Sequence, residues 1–411
     1  MAQEKFQKDF QFYRFAAYGF LKNIRLFEPF LILFFRSQGL DFFQIGILYS
    51  VREVSTNLLE VPTGVLADII GRRLTMVLSM ISYIISFTIF FILKGFWAYA
   101  VAMTLFGLGD ALRSGTHKAL ILAYLKIKGW DKYKVEYYGA TRSWSQRGSA
   151  LNAILAGLLV LASGDYRWVF GASLIPYVIN LINLATYPAE LDTVVKKKKK
   201  QQTLKEFRAM ITQPRYLKAL MNSSLFMGVF KGTKDYLQPV LKSIALGLPV
   251  LLWLSGERRT AIVVGLVYSV IYLINAQASQ NAYRIKDMVS GRLGMAMNIT
   301  YIIGAASVML AGITYQWNWT YVAVLMFMFM YVMQNIRRPL AVAYISDTIP
   351  EGTMATGLSV ESSLRTFTAM VIAPVLGYLA DHIGVGYGLA AVGAFAMLLT
   401  PIVWLSEPKQ A

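Results

Sequence analysis

Apolar runs of about 20 residues recur along the whole chain, separated by short polar turns, and this is the feature that most restricts what it can become. A run of that length, coiled as one helix, matches the ~30 Å hydrocarbon core of a bilayer. Soluble cores instead show shorter apolar runs, broken by alternation or by helical periodicity. Only 15% of the 411 residues are charged, against about a quarter in soluble domains. The pattern predicts an all-α membrane protein with twelve transmembrane helices. We place them near 12–35, 45–68, 74–93, 97–124, 137–162, 168–188, 214–243, 260–282, 293–313, 318–344, 355–380 and 386–405. They form an N-terminal six-helix bundle (1–188), a basic cytoplasmic linker (189–213) and a C-terminal six-helix bundle (214–411).

Several function classes drop out early. The chain has no cysteine and two histidines, His117 and His382, so thiolate chemistry and a histidine metal cluster are excluded and no cofactor is expected. There is no Walker-type phosphate loop, and Gly384-Val-Gly386-Tyr-Gly388 lacks a preceding strand, so an enzymatic or nucleotide-driven reading has no support. Met1 to Phe10 lacks the apolar stretch of a cleavable signal peptide. The net charge of +18 would point a soluble protein toward nucleic acid. Here Lys and Arg concentrate in alternate loops, with Lys196 to Lys200 in the linker. That follows the positive-inside rule and places both termini in the cytoplasm of a bacterial inner membrane.

The charges within the helices carry the functional argument. Each one near mid-bilayer costs on the order of 3 kcal/mol. They recur every third helix: Lys22, Arg25 and Glu28 in helix 1; Asp110, Arg113, His117 and Lys118 in helix 4; Lys231, Lys234 and Asp235 in helix 7; Arg337 and Arg338 beside Gln334 and Asn335 in helix 10. Helices 3, 6, 9 and 12 carry essentially none. A polar cavity lined by helices 1, 4, 7 and 10 accounts for this periodicity. Glu28, Asp110 and Asp235 are the candidates for proton coupling. Lys22, Arg25, Arg113, His117, Lys231, Lys234, Gln238, Gln334 and Arg338 are the candidates for binding substrate. Tyr18, Trp144 and Tyr236 could pack an apolar portion of it. Glu361 and Arg365, at i and i+4, read as a structural ion pair. Lys118 and Arg142, nearer the cytoplasmic ends, read as snorkelling cations. Embedded bases outnumber embedded acids, so a shared cavity would concentrate anions.

The two halves echo one another. Gly46-Ile-Leu-Tyr-Ser-Val51 matches Gly265-Leu-Val-Tyr-Ser-Val270 at an offset of 219, which also aligns Asp68 with Asp287 and Arg73 with Arg292. An offset of 218 aligns Gly139 with Gly357 and Arg147 with Arg365. Collinear matches of this kind argue for a duplicated six-helix unit. After helix 2 comes Gly64-Val-Leu-Ala-Asp68-Ile-Ile-Gly71-Arg72-Arg73, where a glycine allows close helix approach and another permits a tight reversal.

With this pattern between helices 2 and 3, the sequence resembles the major facilitator superfamily. The resemblance implies two six-helix bundles working by alternating access, with Gly64, Asp68, Gly71, Arg72 and Arg73 as a conformational-switch motif. Ile69 stands where the family often has a basic residue after the aspartate. Drug–proton antiporters of that family often carry a Gly-Pro-rich motif in helix 5, and Arg147 to Gly157 contains no proline. The reading is a monomeric secondary active transporter of a small organic solute, anionic or amphiphilic, coupled to protons or another ion and bathed by membrane lipid. A lipid translocase and a multidrug exporter are alternatives on the same scaffold.

Overall fold

The computed structural model describes residues 8–114, 116–130, 133–191, 214–280, 292–346 and 354–407. Among the described residues every regular element is helical, and the elements group into twelve spans. Span 1 is α1 (Phe10–Lys22), a 3-10 turn (Glu28–Phe30) and α2 (Leu31–Ser37). Spans 2 and 3 are α3 (Phe42–Ile70) and α4 (Arg72–Ile92); span 4 is α5 (Phe96–Arg113) with α6 (Thr116–Ile127). Spans 5 and 6 are α7 (Lys134–Ser163) and α8 (Trp168–Ala185). Span 7 is α9 (Pro214–Thr233), a 3-10 turn (Lys234–Tyr236) and α10 (Leu237–Gly247). Spans 8 to 12 are α11 (Gly256–Gln280), α12 (Leu293–Gln316), α13 (Thr320–Ser346), α14 (Met354–His382) and α15 (Val385–Leu398). Lys196 to Lys200, most of the linker, and the second motif copy at Asp287 lie outside the described residues.

Among the described residues four helices are long and apolar enough to cross a membrane: Arg72–Ile92, Trp168–Ala185, Leu293–Gln316 and Val360–His382. The sequence reads spans 1, 4 and 7 as single helices, and the structure interrupts all three. Span 1 loses helical geometry over 23–27, span 4 stops at Arg113 and restarts at Thr116, and span 7 tightens to 3-10 geometry at Lys234–Tyr236. All three carry charged clusters, and each break falls within or beside its cluster, whereas span 10, with Arg337 and Arg338, runs unbroken from Thr320 to Ser346. Pro29 sits in the first turn of the 3-10 segment, where a missing N–H removes no helical bond. Broken backbone at membrane depth is tolerated only where protein or water satisfies its polar groups.

The chain divides into two compact units. Unit 1 comprises 1–34, 54–196 and 251–269, and unit 2 comprises 35–53, 197–250 and 270–411. In unit 1, α4 packs on α5 and α8, and α1 packs on α7 and α8. In unit 2, α12 packs on α13 and α15, and α9 on α14. The repeated glycines mark close backbone crossings. A Cβ on Gly265 would stand 3.3 Å from the Gly157 Cα in unit 1, and one on Gly46 would stand 2.5 Å from the Ala373 carbonyl oxygen in unit 2. Only glycine permits such approach without displacement. In unit 1, Trp97 and Trp253 are each 80% exposed and Trp168 is 50% exposed, all at the helix ends away from the N-terminus, as in an interfacial aromatic belt.

Candidate functional site

In unit 1 the break in span 1 lets Arg25 turn back toward α5. Its Nη2 lies 3.5 Å from Asp110 Oδ1, and Arg113 Nη2 lies 3.3 Å from the same oxygen. Tyr83 donates its hydroxyl to that oxygen at 2.5 Å. Arg25 Nε donates to the Tyr177 hydroxyl at 3.1 Å, and Tyr177 donates to the Lys22 carbonyl freed by the break, at 3.0 Å. Gly109 makes this possible, because a Cβ there would stand 2.9 Å from the Tyr83 ring. Asp110 thus accepts from the Arg113 guanidinium and the Tyr83 phenol and forms an ion pair with Arg25.

Beside this cluster lies a cavity of about 190 Å³ between α1, α5, α6 and α7. Its lining includes Lys22, Arg113, Lys118 and Arg142 and no carboxylate. Lys118 and Arg142, read from sequence as snorkelling cations, face this cavity. His117 stacks on Tyr18, with ring centroids 3.9 Å apart and planes at 23°. Both rings line the cavity; His117 Nε2 is buried without a hydrogen bond among the described residues, and the Tyr18 hydroxyl is buried beside the Arg113 guanidinium in no hydrogen bond of good geometry. Trp144 lies instead under Arg147, 5.0 Å from its guanidinium.

In unit 2 a second network joins α3 to span 7. Lys231 Nζ lies 2.6 Å from a Glu53 oxygen, and Arg52 reaches the other at 2.9 Å. Tyr49 donates to Asp235 at 2.9 Å, and Lys234 pairs with Asp235 at 2.6 Å. Glu361 and Arg365 pair at 3.6 Å, and Ser223 donates to Glu361 at 2.9 Å. Gln238 and Tyr236 are buried, Tyr236 stacking on Phe42 at 5.5 Å. Gln334 meets the Met227 sulfur at 3.2 Å. Arg338 is exposed, whereas its neighbour Arg337 is 2% exposed. Arg337 donates to Met297, Thr300 and Asn222 and lies over Phe226 and Tyr301, all of them neutral. Glu28 begins its 3-10 turn and is partly buried.

Sequence reasoning did not single out Glu53, Tyr83, Tyr177, Lys118, Arg142 or Arg337 as site residues. One signal was available. Tyr49 and Glu53 stand at i and i+4, on one face of α3.

In the turn after α3, Gly71 has φ +93°, a conformation that favours glycine. Arg72 donates to the Ala119 carbonyl at 3.3 Å and Arg73 to the Tyr187 carbonyl at 3.0 Å. A Cβ on Gly64 would meet nothing within 4 Å, so close approach does not explain that glycine in this structure. The Asp68 side chain lies outside what is described.

The sequence profile of the Major Facilitator Superfamily matches residues 15–367. The chain belongs to the major facilitator superfamily. This superfamily chain is 30% identical over 125 residues to the uncharacterized MFS-type transporter YxaM of Bacillus subtilis (strain 168), an alignment spanning 30% of each. Solved structures of superfamily transporters share its fold at low identity. A variant of the nucleoside transporter NupG superposes with TM-score 0.77 at 13% identity, covering 95% of this chain and 98% of that one. A D-xylose-proton symporter gives 0.73 at 15% identity, covering 97% and 98%. A variant of the peptide transporter POT in complex with sulfate gives 0.73 at 13% identity, covering 98% and 95%. The twelve-span reading and the transporter class therefore hold for this superfamily member as a multi-pass membrane protein.

Proposed function

We propose that this chain is a proton-coupled secondary transporter of a small anionic organic solute, working as a monomer in the bacterial inner membrane with both termini and the linker cytoplasmic. The observation that carries the reading is the unit 1 cavity, with four basic side chains in its lining and no acid. Such a lining attracts anions and repels cations, more strongly where water is scarce. Arginine adds bidentate recognition of carboxylate or phosphate. Interrupted helices at membrane depth are a recurring feature of transporter binding sites, and spans 1 and 4 both break beside this cavity.

Proton coupling needs a carboxylate whose partner can be withdrawn. Glu53 joins Glu28, Asp110 and Asp235 as a candidate, because Lys231 of another helix holds it, as Arg25 holds Asp110 and Lys234 holds Asp235 in interrupted segments. Protonation of Glu53 would release Lys231 from its ion pair. Carrying a proton and an anion together lowers the charge moved across the membrane, which suits a positive cavity.

The test is a thermal-shift screen of the purified protein against anionic, neutral and cationic metabolites, followed by liposome uptake of each hit under an imposed pH gradient. Stabilisation by anions and accumulation driven by an inward proton gradient are expected. Hits confined to cations, or uptake indifferent to the gradient, would sink the corresponding half of the reading.

A further inference from the structure

The interior of the unit 1 cavity is more selective than a general preference for anions requires. Asp110 lies behind the lining and is shared by Arg25 and Arg113. Lys22, Lys118 and Arg142 have no carboxylate within 4 Å among the described residues. Lys118 lies over the Tyr138 ring, 5.7 Å from its centroid, and Tyr138 lines the same cavity. A ligand with one negative charge would leave at least two of these three cations uncompensated. A second negative charge on the ligand would gain from the field of all three cations, and the gain grows as the bound ligand displaces water from the cavity.

A second, independent observation concerns the stacked pair. Tyr18 is 3% exposed, yet its hydroxyl makes no hydrogen bond of normal geometry, and His117 Nε2 is also unsatisfied. Buried polar atoms without partners are rare in folded proteins, and each calls for an explanation. Here both belong to rings held face to face in the lining of one cavity. A ligand hydroxyl could donate to one and accept from the other. The size of the space bounds the ligand. An apolar cavity of about 150 Å³ takes benzene, so about 190 Å³ admits a solute of roughly eight to ten non-hydrogen atoms.

We infer that this cavity recognises a compact hydroxylated dianion, a small dicarboxylate or phosphate monoester whose two charges meet Lys22, Lys118 and Arg142 and whose hydroxyl meets Tyr18 and His117. The inference rests on the reading of this cavity as the solute site and specifies what fills it. The same phosphate chemistry is offered by a phosphatidic acid headgroup, and the experiment separates that source from a free solute.

Binding to the purified full-length protein in detergent is measured by titration calorimetry with malate and glycerol 2-phosphate as dianions, lactate as a hydroxylated monoanion and glycerol as the neutral control. Malate and glycerol 2-phosphate should bind at least tenfold tighter than lactate, with glycerol undetected. Lys118 and Arg142 are exposed at the cavity mouth, so the Lys118→Ala/Arg142→Ala protein should melt like the parent while its affinity for malate falls to that for lactate. Equal affinity for lactate and malate would overturn the dianion assignment and leave the anion reading standing. Binding of glycerol with neither acid would overturn both. Displacement of malate by phosphatidic acid in mixed micelles would replace the small solute with a lipid headgroup.

Discussion

The Lys231 ammonium stands 2.6 Å from a Glu53 oxygen although the two residues are 178 apart in sequence. Among the described residues Glu53 is the carboxylate that Lys231 reaches, whereas Glu53 also holds Arg52 at 2.9 Å. The pair is therefore asymmetric. Glu53→Gln strands Lys231, while Lys231→Met leaves Glu53 with Arg52. Stranding a buried ion is strongly destabilising, and partial exposure of Lys231 (29%) reduces this to about 2 kcal/mol. Thermal unfolding in detergent should rank Glu53→Gln below Lys231→Met, with the double variant recovering part of the loss. Equal melting of both single variants would show that the contact does not bear on stability.

Two glycines should respond to the same methyl group with opposite sign. At Gly109 a Cβ meets the Tyr83 ring at 2.9 Å, so Gly109→Ala displaces the phenol that donates to Asp110 and should lower the melting temperature. At Gly64 the added atom meets nothing, and alanine is favoured over glycine in an exposed helix by up to about 1 kcal/mol. Gly64→Ala should melt at or above the parent. A fall there would reveal a second conformation in which Gly64 is crowded.

Tyr18 offers a separation of stability from binding. Its hydroxyl is buried near the Arg113 guanidinium but in no hydrogen bond of good geometry, and removing a polar group left so poorly satisfied relieves about 1 kcal/mol. Tyr18→Phe should raise the melting temperature of the ligand-free protein and weaken malate binding in calorimetry. A destabilised Tyr18→Phe would mean that the hydroxyl has a partner in solution.

Orientation is open to a direct measurement because the chain has no native cysteine. Trp253→Cys, at a site 80% exposed, should react with a membrane-impermeant maleimide added outside intact cells. Lys128→Cys, on the turn after α6, should react only after permeabilisation. The reverse pattern would invert the proposed topology.

Twelve spans were legible because a bilayer imposes length and apolarity on each helix independently of its neighbours. Of the charges that recur in helices 1, 4, 7 and 10, those of spans 1 and 4, Lys22 and Arg113 with His117, line one cavity, and span 5 rather than span 7 or 10 completes its lining. What the sequence concealed was pairing. Spacing grouped Lys231, Lys234 and Asp235 on one helix without assigning partners, and the structure turns Lys231 to Glu53 of another helix and gives Asp235 to Lys234 and Tyr49. Nothing local distinguishes these outcomes, because partner choice depends on how helices from distant parts of the chain meet. The breaks were hidden for a related reason. Asn23 and Ser114 tolerate helix, and tertiary hydrogen bonds, such as Tyr177 to the Lys22 carbonyl, help compensate the interruption. Arg337 and Arg338 are adjacent and chemically identical, and only the rotation of α13 buries one and exposes the other.

The uneven apolarity of the spans has a consequence for biogenesis. Among the described residues the spans long and apolar enough to cross a bilayer are the third, sixth, ninth and eleventh. The first span, made before the spans that complete it, holds Lys22, Arg25 and Glu28 around a non-helical stretch, and its insertion is marginal until Asp110 and Tyr177 arrive to meet those groups. Assembly must therefore run backward in places. Later spans enter readily and rescue earlier ones, so chains truncated before α8 should leave the first span exposed to membrane quality-control proteases.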